Sequence, residues 1–409
     1  KEAEQATDQC ATSIDEFGNK TNNLADELTK TSTIIKANFI NTLVESGKSL
    51  TSDMFRSAVQ GTLELQEAQN QLQASTGATE QATEYYGETM EKVYKAGYGD
   101  SIRDVADAMA LVKQYTNETD PSKLQELAEG GMVLQDVFGM DLSESIRGVD
   151  ALMENMGLTA GEAFDFITKG AQNGLDKSGE LADNIAEYSS LWAQAGFSAE
   201  EMFTILQNGL DSGAYNLDKV NDYVKEFGIS MSDGRIEENL NAFSKGTQDL
   251  FQAWKNGEVT TKEVFHSVIS DLASMENQQQ ALTIASNTWS ALGEDNAMKV
   301  ITSLNQANNA YKNVKGTMES IKDIKYDSVA NQWKTLGRTF QSEVITPVLK
   351  DFLPPAQKGM KVLADNIEVI IPVAKVAGTT IGTMFVVKKS KNLIKDLKEV
   401  KEGIEDTTK

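Results

Sequence analysis

LTAGEAFDFITKGAQNGLDKSGELADNIAEYSSLWAQAGFS runs from Leu158 to Ser198, and FSAEEMFTILQNGLDSGAYNLDKVNDYVKEFGIS runs from Phe197 to Ser230. Set one above the other, they read as one helical unit written twice, over 158–192 and 197–228. Phe164 falls with Phe203, the pentapeptide QNGLD occurs at Gln172–Asp176 and again at Gln207–Asp211, and Tyr188 falls with Tyr223. A third, fainter opening, VTTKEVF, starts at Val259. All three open with the spacing of a capping box: Thr159 with Glu162, Ser198 with Glu201, Thr260 with Glu263. In such a box the hydroxyl accepts a bond from an orphan N–H at the helix start, and the Glu three residues on reaches back to the cap. Apolar residues follow at helical spacing, so the expected core is helix, glycine-containing turn, helix, repeated. The pattern is that of a packing module and contains no catalytic chemistry.

Outward from this core the chain continues as helices. From Leu24 to about Leu72 the apolar residues Leu24, Leu28, Ile35, Phe39, Leu43, Leu50 and Met54 step mostly by fours and sevens. That narrow stripe predicts a rod or coiled-coil seam, with an ordinary amphipathic helix folding back on the middle as the alternative. Residues 79–157 predict further helices, with stops at Gly97, Gly99, Gly139 and Gly157 and with Pro121 at a first helical position. After the duplicated core, Phe251 with Trp254, then Val264, Phe265, Val268 and Leu272, then Trp289 and Leu292 continue the pattern. The stretch from Asn305 to Lys325 loses apolar density and reads as a linker helix leading to Trp333, Leu336 and Phe340. No period-two alternation is sustained anywhere, so the expected fold is all-α. It comprises an extended helical region (1–78), a multi-helix core with the internal repeat (79–304), linker helices (305–357) and a C-terminal apolar helix followed by a charged amphipathic one (358–409).

The last part differs in kind. Val369–Val387 reads VIIPVAKVAGTTIGTMFVV and carries one charge, Lys375. Val369, Ile370, Ile371, Val373, Val376, Ile381, Met384, Phe385, Val386 and Val387 supply its apolar content. The length suffices for a helix to cross a bilayer. Lys375 opposes this by roughly 2.5–3.5 kcal/mol at a helix centre, and a buried helical hairpin is the competing reading.

Composition narrows the function classes. The 409 residues include 38 Lys and Arg against 61 Asp and Glu, a net charge of −23. Such a balance argues against specific nucleic-acid binding, which needs basic stripes along the phosphate backbone. Cys10 and His266 are the sole cysteine and histidine, so neither an internal disulfide nor a zinc site of the usual ligand type is expected. No charged-then-apolar leader opens the sequence, and the missing initiator Met suggests a piece of a longer protein. GKS at Gly47–Ser49 lacks the earlier glycine of a phosphate loop, Thr42 standing there, and it lies in a helix-period run. The turns at Asp176–Gly179, Asp211–Gly213 and Asp233–Gly234 lack the ligand spacing of a calcium loop and read as turn chemistry and helix stops. His266 adjoins Ser267, but adjacent residues on a helix do not face each other, so no nucleophile and base are paired. The sequence nominates no catalytic residue, cofactor or metal.

The runs TGATEQATEYYGETMEKVYKAGYGDSIRDVADAMALVKQ, VLQDVFGMDLSESIRGVDALMENMGLTAGEAFDFITKGAQNGLDKSGELADNIAEYS and WAQAGFSAEEMFTILQNGLDSGAYNLDKVNDYVKEFGI resemble the middle region of phage tail tape measure proteins, over roughly Thr76 to Asn296. The resemblance implies an all-helical structural protein inside a long phage tail, whose length sets tail length and which assists passage of the genome across the host membrane. It implies self-association in a helical bundle, tail tube subunits and tail assembly chaperones as partners, and location in the virion tail lumen, with the host cell membrane reached on entry. Some members carry a peptidoglycan hydrolase domain, and no residue here maps onto one. Two other classes stay open: a pore-forming or translocated effector acting through Val369–Val387, and an enzyme fragment whose helices scaffold a hydrolase. Lysis of dye-loaded liposomes distinguishes the first, and turnover of cell wall the second.

Overall fold

A computed structural model describes residues 64–290, 297–326 and 328–340. The extended stripe at Leu24, Leu28, Ile35, Phe39, Leu43, Leu50 and Met54 and the apolar segment Val369–Val387 lie outside the described residues. Within those residues all regular structure is helical, and no strand occurs. Residues 64–76 are helical, followed by α1 (Glu80–Lys95), α2 (Ile102–Thr116), α3 (Pro121–Phe138), α4 (Leu142–Met156), α5 (Ala160–Gln172), α6 (Leu181–Gln194), α7 (Ala199–Asp211) and α8 (Leu217–Asp233). A short α9 (Arg235–Glu238) precedes α10 (Lys245–Lys255), α11 (Thr261–Ser274), α12 (Gln278–Trp289), α13 (Ala297–Ser303), α14 (Thr317–Tyr326) and α15 (Val329–Phe340).

The chain divides into two compact units. The described part of the first comprises residues 64–74, Thr79–Arg103 and 329–340. There Leu65, Ala68 and Leu72 are buried, as are Tyr86, Met90 and Val93 of α1. The second unit comprises Ser75–Ala78 and Asp104–Ser328 and contains the duplicated sequence.

Three corners of the second unit share one construction. A left-handed glycine closes a helix, one apolar residue follows, and the next residue caps the following helix. The triplets are Gly139-Met140-Asp141, Gly157-Leu158-Thr159 and Gly196-Phe197-Ser198, with φ of 73°, 69° and 91° at the glycines. A side chain with a Cβ strains that backbone, and an oxygen at the third position satisfies the first free N–H groups of the next helix. Asp141 does so for Ser143 (2.8 Å) and Glu144 (3.0 Å). Pro121 occupies the first turn of α3, where its missing N–H is not needed, behind the cap Asp120.

α4 and α6 lie side by side and run in the same direction: Gly148 meets Ala182, Arg147 meets Asp183 and Asn155 meets Ser189. A Cβ on Gly148 would stand 2.8 Å from the carbonyl oxygen of Ala182. The absence of a side chain there is what allows the two backbones to approach. Between the helices of the repeat runs a chain of edge-on aromatic contacts. The rings are joined in sequence: Trp192 to Phe197 (5.0 Å), Phe197 to Phe265 (5.6 Å) and Phe265 to Phe227 (5.1 Å), with Phe227 then tilted against Trp289 (5.7 Å). Edge-to-face pairs of this kind contribute about 0.5–1.5 kcal/mol each beyond their burial. Trp192 and Trp289 are fully buried, Trp254 is half-buried, and the side chain of Trp333 lies outside the described set.

The first helices of the two copies, α5 and α7, align in a register different from the one the pentapeptide suggests. The caps Thr159 and Ser198 stand 39 residues apart, as do the closing glycines Gly174 and Gly213. The bonds that end each helix match as well, Leu175 N–H to Gly170 O and Ala214 N–H to Gly209 O. The two QNGLD runs stand only 35 apart. In the first copy the run begins at the last residue of α5 and continues past its end, whereas in the second it lies inside α7. The offset of four is about one helical turn, so the matching letters do not occupy matching places.

Candidate functional site

The three capping boxes are all formed. The Thr159 hydroxyl accepts from Glu162 N–H (3.3 Å), while the Glu162 carboxylate accepts from Thr159 N–H (2.9 Å) and from its hydroxyl (2.8 Å). Ser198 and Glu201 repeat the arrangement at 3.3, 2.8 and 3.0 Å. Glu263 accepts from Thr260 N–H at 2.9 Å and from the Thr260 hydroxyl. Five residues past each cap stands a phenylalanine buried almost completely, Phe164, Phe203 or Phe265. The cap thus fixes where the helix starts, and the start fixes which face the ring presents to the core.

The second and third boxes are joined. Lys262 N–H donates to Ala195 O (2.9 Å), and its ammonium lies 3.1 and 3.3 Å from the two Glu201 oxygens. A Cβ on Gly196 would collide with the Thr260 side chain. Burial would raise the Glu201 carboxyl, but bonds from Ser198 and Lys262 outweigh it and hold the group below its usual range. Glu162, fully exposed, is lowered by the bonds from Thr159. Beside this joint, His266 packs edge-on against Phe197 and Phe265, each 5.7 Å away. Its Nδ1 pairs with Asn305 Oδ1 (2.6 Å), and Asn305 Nδ2 donates to His266 O (3.2 Å) and Ser270 Oγ (2.7 Å). Burial lowers the imidazole's affinity for a proton, and its Nδ1 is already engaged by Asn305.

Several polar anchors are invisible to sequence spacing. Asp165, 7% exposed, accepts from Gly316 N–H and Met318 N–H, both at 2.8 Å, and so caps α14 from a distant helix. Asn221 accepts from the Trp192 indole (2.7 Å) and donates to Asn184 (2.7 Å), tying α6 to α8 inside the core. Tyr311 donates to Gln207 (2.8 Å) and packs on Phe203 (5.5 Å). With Met318 and Ile321 also buried, the stretch expected as a linker helix packs on α5 and α7 rather than spanning free space. Tyr311, Val314, Met318 and Ile321 are directed inward while Ile324 is exposed, a distinction a density count does not detect.

The geometry offers packing more readily than chemistry. The carboxylate of Asp176 accepts from Leu181 N–H (3.0 Å) at the start of α6, and Asp233 accepts from Arg235 N–H (3.1 Å), so these turns spend their oxygens on backbone. Among the described residues no group of three or more His, Cys, Asp or Glu side chains is placed to hold a metal ion. No described helix is long and apolar enough to cross a membrane. A cleft of about 450 Å³ in the first unit is lined by residues that include Glu64, Glu67, Gln71 and Arg103.

No curated protein and no solved structure matches the chain. Residues 91–286 match the family model described as Phage-related minor tail protein, a structural family and not a known enzyme family. The matched stretch contains the corners, all three capping boxes and the aromatic chain except Trp289, and the match supports a structural phage tail protein, a component of the virion.

Proposed function

We propose that the chain is part of a tape measure protein, a helical ruler around which tail tube subunits assemble and which assists genome ejection. The family match over 91–286 supports the tail part of this reading. The resemblance of the same region to tape measure proteins supplies the finer role. Physical chemistry is consistent with it. An α-helix advances about 1.5 Å per residue, which makes a helical rod a linear gauge. A net charge of −23 disfavours adhesion to a polyanion sharing the same tube. In this reading copies self-associate through the stripe from Leu24 to Met54, tail assembly chaperones hold the chain before the tube closes, and Val369–Val387 meets the host membrane on ejection.

A nonsense allele in the parent gene tests the role. The expected outcome is particles without tails, or with tails of irregular length, restored by the gene in trans. Tails of normal number and length, combined with release of dye from liposomes by the purified chain, would replace the ruler with a membrane-active effector.

A further inference from the structure

The dipeptide Asn-Gly occurs at Asn173-Gly174, Asn208-Gly209 and Asn256-Gly257. In this pairing the glycine nitrogen can attack the preceding side-chain amide, because glycine has no side chain to obstruct a close approach of its backbone. The fold places the three pairs differently. Asn208 lies inside α7 and is 7% exposed. Its Nδ2 donates to Gln306 O (2.9 Å), and its Oδ1 accepts from Asn308 Nδ2 (3.0 Å). That amide is held at both ends, and the helix holds the backbone beside it. Asn173 follows α5, and its amide nitrogen is buried. Gly174 N–H donates to Ala171 O (3.0 Å) and Leu175 N–H to Gly170 O (2.9 Å). Leu175 is fully buried, so opening that turn draws an apolar side chain out of the core.

Asn256 follows α10 in a turn of the same form. Gly257 N–H donates to Trp254 O and Glu258 N–H to Ala253 O, both at 2.9 Å. Glu258 stands where the first turn has Leu175, and residues 255–258 are all exposed. The Asn256 amide has one long bond, from Nδ2 to the Glu258 carboxylate at 3.3 Å. Helix ends fray, and fraying here draws none of these four side chains out of the core. We propose that Asn256 is a site of spontaneous modification, deamidating in the folded chain while Asn173 and Asn208 are protected by their surroundings. The Gly257 nitrogen bonds to the Asn256 side-chain carbonyl carbon, and the amide nitrogen leaves as ammonia with the proton that the backbone gives up. Water then opens the resulting succinimide at either carbonyl, giving aspartate or isoaspartate, with no oxidation or reduction. Either product adds a negative charge at the C-terminal end of α10, which the helix dipole disfavours. The new carboxylate also replaces the amide that donates to Glu258 with a like charge. Isoaspartate lengthens the backbone as well, which misaligns the closing bonds to Trp254 O and Ala253 O. This inference does not rest on the tail reading.

The test incubates the full chain in mildly alkaline buffer, with and without denaturing urea, and follows each Asn-Gly pair by peptide mass mapping. An isoaspartyl methyltransferase reports the isoaspartate fraction. In the folded chain Asn256 should convert at least about tenfold faster than Asn173, the ratio that corresponds to a local opening about 1.4 kcal/mol easier. Asn208 should stay intact, and its survival shows that the second unit remained folded throughout. In urea the three sites should convert at similar rates, which assigns the difference to the fold and not to neighbouring residues in sequence. Asn256→Gln should remove the fast isoaspartate signal and leave the emission of the buried Trp192 and Trp289 unchanged. Conversion of Asn173 or Asn208 as fast as Asn256 in the folded chain would overturn the proposal. So would an Asn256 that stays intact while the urea-treated chain reacts, or the same unequal rates in urea.

Discussion

Asp165 shows what a single side chain contributes. It is buried in α5, and both of its oxygens are committed to backbone N–H groups at the start of α14. Asp165→Ala leaves two donors without their charged acceptor and is expected to lower the unfolding free energy by on the order of 3 kcal/mol, read from urea denaturation; Asp165→Asn, which keeps one acceptor, should lose less. Two titrating groups act in opposite senses. His266 is held neutral by burial, so its contribution is complete above about 6.5 and is lost as the pH falls below that value. His266→Gln should therefore flatten the acid slope of stability relative to the parent. Asp150 is raised to about 6 by burial, with Glu154 adding to it. Its raised value favours the fold below about 3.8, and that advantage disappears as the pH rises through about 6. Asp150→Asn should raise the urea midpoint at pH 7 and leave it nearly unchanged at pH 4. At this scale the sequence was legible where partners are local. Thr159 and Glu162 stand three apart, so their box can be read from spacing. Asp165 and Gly316 are separated by 151 positions, and nothing in composition or period marks them as partners.

Helices and their joints were legible to a similar rule. Stops at Gly139 and Gly157, the caps at Asp141 and Thr159 and the start at Pro121 follow from local backbone chemistry, and the helices begin and end there. The pentapeptide misled because identical letters attract the eye more than equivalent geometry; the caps and closing glycines carry the 39-residue register of the first helices, α5 and α7. Tyr188 and Tyr223 stand on the second helices, α6 and α8, which start at Leu181 and Leu217 rather than 39 residues apart, and Tyr223 is buried while Tyr188 is half-exposed. Helix approach is the element-scale property most open to test. Gly148→Ala forces a methyl to within 2.8 Å of the Ala182 carbonyl, and the separation of α4 from α6 should cost about 1–3 kcal/mol. Gly228, in the interior of α8, has nothing within 4 Å of a built Cβ. Gly228→Ala should therefore stabilise the chain by up to about 1 kcal/mol through helix propensity. Thermal unfolding of the pair checks both; a neutral Gly148→Ala would contradict the packing of α4 on α6.

At the scale of the whole molecule, the all-helical class was readable from period alone, because a helical stripe repeats every three to four residues however the helices later pack. The division into two units was not, since the described part of the first unit gathers residues from Thr79–Arg103 and from 329–340, and no local signal records which distant segments meet. The tail role rests on residues 91–286, whereas the measuring role is assigned to helical length. The most direct measurement is therefore of tails. About 50 residues of helical sequence in the pattern of Leu24–Leu72 are inserted in frame within that stretch of the parent gene, and tails are measured by electron microscopy. The ruler account predicts lengthening by about 1.5 Å per inserted residue, roughly 75 Å, in whole steps of the tube's repeat. Infectious particles with tails of unchanged length would contradict it.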